Sequence, residues 1–313
     1  MRSRFSESER TKSLGTPIGR SCDARPDAIT GRDNRWLKMF RAALRGTGPT
    51  AGEPIGIEGT KLVEEALWSG IEVEALLVSE TGENQVERIL RTAAGSETGI
   101  PRSRILRTTD RLFAGVAGTE TPQGVAALLR APDWALDDVL RGRAAAGGVY
   151  RADSALAVVL VGVQDPGNVG TIVRSAEAFG ATGAIATRGT ADPWSPKAIR
   201  ASAGSALRLP LLRSMATPVV LAQLKIAGVK IYAASSHAAR PSSESGVGAD
   251  LCESSAIFIG NEGAGLPNEV LHAADALIAI PVSEAVESLN AGVAASVVLY
   301  EAARQRKRAS NSE

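Results

Sequence analysis

Cysteine and histidine are almost missing from this chain: Cys22, Cys252, His237 and His272 are all it has. Two cysteines exclude a disulfide framework, and with two histidines they form no zinc-ligand spacing, so no structural metal is expected. Long apolar runs are missing too. None approaches the roughly 18–20 residues needed to span a bilayer, which excludes a membrane-spanning helix, and no membrane partner is expected. From Met1 to Arg35 the sequence is polar throughout, without the apolar core of a signal peptide, and a cytoplasmic location is the expectation. Charge of one sign is also lacking. The net charge of +1 gives no sign of a nucleic-acid partner from the overall balance. Local charge says more: residues 1–35 hold eight Arg/Lys against five Asp/Glu, and Arg304, Arg306, Lys307 and Arg308 close the last helical stretch. Such tails are ordinarily solvated, with phosphate contact as the alternative.

What is present is ordinary globular composition, 44% apolar and 22% charged, over 313 residues. That length exceeds what one core usually organises, so two domains with tails are expected. Residues 1–33 mix Ser, Gly, Pro, Arg and Asp and are expected to be disordered. Strands and helices alternate over 34–130, which predicts a compact, smaller α/β domain. The stretch 131–154, with Pro132, Gly142 and Gly147-Gly148, reads as a linker carrying one short helix near Trp134 to Leu140. From 155 to 306 strand and helix alternate again with strongly apolar strands, which predicts an α/β fold with a mostly parallel sheet covered on both faces; 307–313 is a basic, polar tail. Within this second domain the spacing predicts helices over Val169 to Phe179 and Pro196 to Ala203. It predicts short strands over Arg208 to Leu211 and Ala276 to Ile280, and a long helix from Leu289 to about Gln305.

Three segments place glycines and polar side chains just after an apolar run, where α/β sheets collect ligands. The first is Asp165 to Arg174. Gly167 and Gly170 bracket Asn168, so a tight turn open to a ligand is expected there, with Arg174 about a turn into the helix and both side chains facing the mouth of the sheet. The alternative is a capping Asn and an Arg paired with a surface carboxylate. The second, Gly260 to Gly265, is not a dinucleotide fingerprint: Leu266, Pro267 and Asn268 follow where a third glycine belongs. Glu262 within it suits a role positioning a hydroxyl or an Arg, or sits in a solvent-facing turn. The third runs from Ile280-Pro281 to Asn290. Ser288 or Asn290 suits the N-cap of the final helix, where backbone amides are also free to bind a ligand.

Taken together, NVGTIVRSAEAFG (168–180), IGNEG (259–263), Ile280-Pro281 and ESLNAGVAA (287–295) resemble the three motifs of the SpoU, or TrmH, family of S-adenosylmethionine-dependent RNA ribose methyltransferases. SPKAIRASAGS (195–205) resembles a further family segment. Residues 34–130, with Ile57-Glu58-Gly59 and Leu62 to Leu67, resemble the ribosomal-protein-like substrate-binding domain that many members carry. The resemblance implies a deep trefoil knot and transfer of a methyl group to a ribose 2′-hydroxyl. It implies S-adenosylmethionine held by Gly260, Ile280 and Leu289, with Ile259, Asn261 and Ser235, and no metal. It also implies a catalytic set of Arg174, Asn168, Glu262, Ser288 and Asn290 and a homodimer sharing the RNA site. Apart from the resemblance, Arg200 and the Arg/Lys-bearing tails are candidate phosphate contacts, and Ser202 beside Arg200 is a candidate RNA contact. The front domain favours ribosomal RNA of the 23S type; a transfer RNA substrate and a catalytically silent knotted RNA-binding protein are the alternatives. One departure stands out: Ala291-Gly292-Val293 follows the motif-three Asn where members carry polar residues, and Gly292 weakens the first helical turn by about 1 kcal/mol.

Overall fold

The computed structural model describes residues 28–46, 48–50, 52–95, 100, 104–142, 154–235, 249–283, 285–286 and 288–311. Cys22, His237, Glu287, the stretch before residue 28, the glycine-rich part of the linker and the last two residues of the tail lie outside them.

The first sheet is mixed. It is built from β1 (Ala28–Ile29), β2 (Ile55–Glu58), β3 (Val73–Ser79), β4 (Ile105–Thr108) and β5 (Val125–Leu129), in the order β1-β4-β3-β5-β2. β1, β4 and β3 run parallel, whereas β5 is antiparallel to both β3 and β2. Four helices belong to this part: α1 (Arg35–Arg45), α2 (Thr60–Trp68), α3 (Val86–Ala94) and α4 (Asp110–Ala114). Asn34 caps α1 by accepting from the Trp36 amide, and Leu37, Phe40 and Leu44 form its buried stripe. β1 lies inside the stretch expected to be disordered: Ala28 and Ile29 pair with Arg107 and Thr108, and Ile29 is buried. A two-residue strand has no periodicity to read.

The second sheet is wholly parallel. Its strands are β6 (Leu156–Leu160), β7 (Gly183–Thr187), β8 (Leu211–Met215), β9 (Lys230–Ala234), β10 (Ser255–Ile259) and β11 (Ala276–Ile278), in the order β11-β9-β10-β6-β7-β8. Every residue of β6, β7 and β10 is buried, as a sheet covered on both faces requires. The covering helices are α5 (Leu136–Arg141), α6 (Pro166–Ala178), α7 (Pro196–Ala201), α8 (Ser205–Arg208), α9 (Thr217–Ile226), α10 (Asn268–Ala273) and α11 (Ala291–Ser310).

Several boundaries differ from the sequence reading. α6 begins at Pro166, because Asp165 precedes a proline whose fixed φ and missing N–H suit the first helical position. Gly167 is therefore helical as well as Gly170, which the expected helix from Val169 already contained, and the two flank no open turn. The role of Gly170 is packing: an added Cβ would lie 2.3 Å from the Ala198 carbonyl oxygen of α7. The helix expected through Ala203 stops at Ala201, since Ala203 and Gly204 take positive φ of 49° and 88°. Arg208 then ends α8 instead of opening a strand, and β11 stops at Ile278.

The two sheets share one buried cluster, in which Ile57 and Leu67 of the first part join Ile199 and Leu207 of the second. Charged groups fix the junction. Arg208 places Nη1 2.5 Å from Glu65 of α2 and makes a two-pronged contact with Glu177 of α6, at 2.6 and 2.8 Å. Arg213 donates to the Pro49 carbonyl oxygen at 2.5 Å and pairs with Asp192.

Candidate active site

The carboxyl ends of four neighbouring strands converge. Ile259 of β10 lies in register with Leu160 of β6, and Ala234 of β9 with Ile278 of β11. The segments that leave these ends enclose a cleft of about 800 Å³, counting space open to solvent. Ser235, Ile259, Gly260, Asn261 and Glu262 line one part of it, and Ile280, Ser288 and Leu289 another.

The 260–265 loop takes its shape for identifiable reasons. An added Cβ at Gly260 would meet the Gly265 carbonyl carbon at 2.5 Å and the Leu266 nitrogen at 2.7 Å, so only glycine fits beneath the loop. Asn261 and Gly265 exchange backbone bonds at 3.1 and 3.0 Å. The Asn261 side chain closes the loop, accepting from the Gly263 and Ala264 amides at 2.9 Å each and donating to the Gly162 carbonyl at 2.9 Å. Ser235 contributes its amide to the Ile278 carbonyl at 3.0 Å, tying the β9 and β11 exits together.

Three side chains far apart in sequence meet beside this cleft. Asn168 Nδ2 donates to Glu262 Oε1 at 2.7 Å, and Asn290 Nδ2 donates to Asn168 Oδ1 at 3.0 Å. The Asn290 Oδ1 caps α11, accepting from the Gly292 and Val293 amides at 2.9 and 3.3 Å. The cap thus uses two amides of the first helical turn, and Asn290, not Ser288, is the N-cap residue. Glu262 orients an amide, not an arginine. Ser288 is exposed at the rim of the cleft.

Arg174 does not join this cluster. Six residues along a helix turn the side chain about 120° away from that of Asn168 and advance it about 9 Å. The guanidinium is exposed, with no hydrogen bond or ion pair among the described residues. Its neighbour one turn back, Thr171, borders an apolar strip of α11 in which Val293, Val297 and Tyr300 are exposed. The glycine at 292 is explained by the same helix pair: a Cβ there would meet the Thr171 methyl at 3.0 Å, so α11 lies close on α6. Ser175 and Ser296 share a hydrogen bond of 2.7 Å across that contact, and Phe179 meets Tyr300 edge to face.

Of the two expected RNA contacts, Arg200 is exposed, but Ser202 is fully buried. Its hydroxyl donates to the Ile199 carbonyl at 2.8 Å and accepts from the Ala206 amide at 3.3 Å, so it holds the α7–α8 turn and faces no ligand. One pair escaped the sequence reading. Lys197 Nζ lies 2.5 Å from Asp165 Oδ1 at the start of α6. The Lys197 ammonium, and behind it the Gly167 and Asn168 amides, hold the Asp165 carboxyl below its usual range. Those amides act through proximity, since none meets capping hydrogen-bond geometry. Asp165 before a proline was a readable capping signal. Among the described residues, no three His, Cys, Asp or Glu side chains gather as a metal group, and no helix is long and apolar enough to cross a membrane.

Fold and cleft define a two-domain α/β protein with a nucleotide-sized ligand site beyond the carboxyl ends of parallel strands. Residues 155–300 match the SpoU rRNA Methylase family, and residues 54–127 match the MRM3-like substrate binding domain. The chain belongs to the SpoU rRNA methylase family. It is 34% identical, over 78% of its length and 86% of the relative, to the 23S rRNA (guanosine(2553)-2′-O)-methyltransferase RlmP of Bacillus subtilis. The crystal structure of an AdoMet-bound rRNA methyltransferase from Sinorhizobium meliloti is similar to it with a TM-score of 0.72 and 28% identity, covering 88% of this chain and 97% of that one. A crystallised RNA 2′-O ribose methyltransferase is similar with a TM-score of 0.67 and 31% identity, covering 90% and 99%.

Proposed function

We propose that this protein methylates the ribose 2′-hydroxyl of a nucleotide in ribosomal RNA of the 23S type, in the cytoplasm. The chain is an RNA ribose 2′-O-methyltransferase that uses S-adenosylmethionine. The observation that carries the site assignment is the Glu262–Asn168–Asn290 hydrogen-bond chain, which joins all three motifs at the edge of one cleft. The cleft suits the cofactor: apolar Ile259, Ile280 and Leu289 alternate with polar backbone and Ser235, and Gly260 keeps the loop close. When bound, S-adenosylmethionine supplies a sulfonium methyl group as electrophile.

The residues of the chain then have to align the hydroxyl for in-line attack, and alignment alone is worth several kcal/mol. Glu262 holds the Asn168 amide in one orientation and Asn290 anchors its carbonyl, so Asn168 offers the ribose a fixed donor and acceptor. Ser288 lies next to them at the rim. A guanidinium is always protonated, so Arg174 is no general base; it orients the ribose or its phosphate and stabilises developing negative charge.

Its position turned away from Asn168 supports a homodimer, in which Arg174 serves the partner's site. The exposed apolar strip of Val293, Val297 and Tyr300 beside Thr171 is the face such a dimer covers. We assign 34–130, extended by β1, to RNA binding and 155–306 to transfer, with the second domain threaded as a knot; the two family matches support this division. Arg174→Ala is expected to abolish methyl transfer while leaving S-adenosylmethionine binding within about twofold of wild type; wild-type turnover on ribosomal RNA would overturn the assignment.

A further inference from the structure

A second cleft, of about 800 Å³ counting space open to solvent, lies between the two domains. One wall is the end of α1 and the loop after α4, with Arg45, Gly118, Thr119 and Glu120; the other is α7, with Lys197 and Arg200. Three cations thus face a space bordered by one exposed carboxylate, Glu120. Glu58 beneath the loop is already engaged, accepting from the Gly118 amide at 2.8 Å and from the Thr119 hydroxyl.

The cations differ in how they are held. Arg45 is pinned, with Nε donating to the Ala117 carbonyl at 2.9 Å and Nη2 to the Ala114 carbonyl at 3.2 Å, which leaves further N–H groups of its guanidinium for a ligand. Arg200 is exposed, with no hydrogen bond or ion pair among the described residues, and its Nη1 lies 3.8 Å from where a Cβ on Gly118 would stand. Lys197 links this cleft to the reaction site, because its partner Asp165 begins the helix that carries Asn168.

We propose that this interdomain cleft holds the RNA strand adjoining the methylated nucleotide, with backbone phosphates on Arg200 and Lys197 and an unpaired nucleotide between the domain walls. The inference rests on the RNA-methylating reading and adds where the strand runs. A cavity of this size takes one nucleotide. Unpaired strands are what proteins read in RNA, and backbone phosphates are met by exposed Arg and Lys. Both walls are needed, so the cleft couples recognition by the first domain to transfer by the second.

The test compares full-length wild type with Arg200→Ala, Arg200→Lys and, as control, Lys225→Ala, which removes an exposed charge from the C-terminal end of α9, beside the amino ends of the strands. A 23S ribosomal RNA transcript made in vitro is titrated by filter binding over a salt series, with steady-state methyl transfer and S-adenosylmethionine calorimetry alongside. Arg200→Ala is expected to weaken RNA binding roughly 5- to 10-fold and to lower the salt slope by about 0.7 to 1. KM for RNA rises in step, kcat at saturating RNA and cofactor affinity stay within about twofold, and Arg200→Lys recovers most of the loss. Wild-type RNA affinity and slope in Arg200→Ala, or an equal loss in Lys225→Ala, would overturn the proposal. Failure of the wild type to place methyl groups on RNA would instead overturn the underlying reading, while the binding comparison still decides whether RNA occupies the cleft.

Discussion

Replacing Gly170 with alanine sets two effects against each other. Within a helix, alanine is favoured over glycine by about 0.8–1 kcal/mol. Against this, the new Cβ would stand 2.3 Å from the Ala198 oxygen, 2.6 Å from the Ala201 Cβ and 2.9 Å from the Ser202 nitrogen. Two of these atoms are backbone, so no rotamer change relieves the contact, and α6 must move off α7 by roughly an ångström to regain ordinary separation. Overpacking of this kind costs about 1–3 kcal/mol, leaving a net loss of up to about 2 kcal/mol after the propensity gain. The functional loss is larger, because α6 carries Asn168, whose bonds to Glu262 and Asn290 measure 2.7 and 3.0 Å. A shift of about 1 Å at a positioning group lowers transfer by up to about 100-fold. Urea unfolding and steady-state methyl transfer measure the two effects separately. Gly167→Ala is the control, since its Cβ would come closest to the Asp165 carboxylate, at 2.9 Å, the mobile end of a side chain. A Gly170→Ala protein as stable and as active as wild type would refute the packing argument.

Further predictions concern the same elements. Asn168→Ala and Asn290→Ala should each lower kcat by roughly tenfold, and the double substitution should be little worse than either; multiplying effects would show that the two side chains do not act as a unit. Gly292→Ala meets only side-chain atoms, the nearest being Thr171 Cγ2 at 3.0 Å, so its stability should stay within about 1 kcal/mol of wild type in a urea titration, and a larger loss contradicts this. The domain junction should be acid-sensitive. Burial pushes the Glu177 carboxyl up, but the Arg208 hydrogen bonds outweigh it and the folded-state value lies below the ordinary one. The junction's contribution is therefore complete above about pH 4.3 and is lost as pH falls through the lowered value. Thermal melts of Glu177→Gln should fall less steeply than wild type below about pH 5, and parallel curves would exclude this role.

The sequence made the alternating architecture and the ligand-collecting strand ends readable, because apolar runs bounded by glycine and polar residues are local signals. Local reading failed where tertiary contact decides. Gly167 and Gly170 were expected to bracket a tight turn, and only the approach of α7 shows that Gly170, within the expected helix, is a packing position. Ser202 was expected to contact RNA, yet it is buried in the bend that Ala203 and Gly204 create. The Glu262–Asn168–Asn290 chain joins residues 94 and 122 positions apart, which no helical or strand period reveals. Arg174 was placed at the mouth of the sheet by counting residues, and the helical turn puts it on another face.

On the proposed function, the joined motifs direct a methyl group to a ribose oxygen of RNA. The most direct measurement supplies S-adenosylmethionine labelled in its methyl group with a 23S ribosomal RNA transcript, then locates the label by alkaline hydrolysis, because a 2′-O-methyl group protects the adjoining phosphodiester bond. Label confined to a protected dinucleotide is expected with wild-type protein, and none with Arg174→Ala. Label on a base, or transfer by Arg174→Ala at the wild-type rate, would contradict the proposed function.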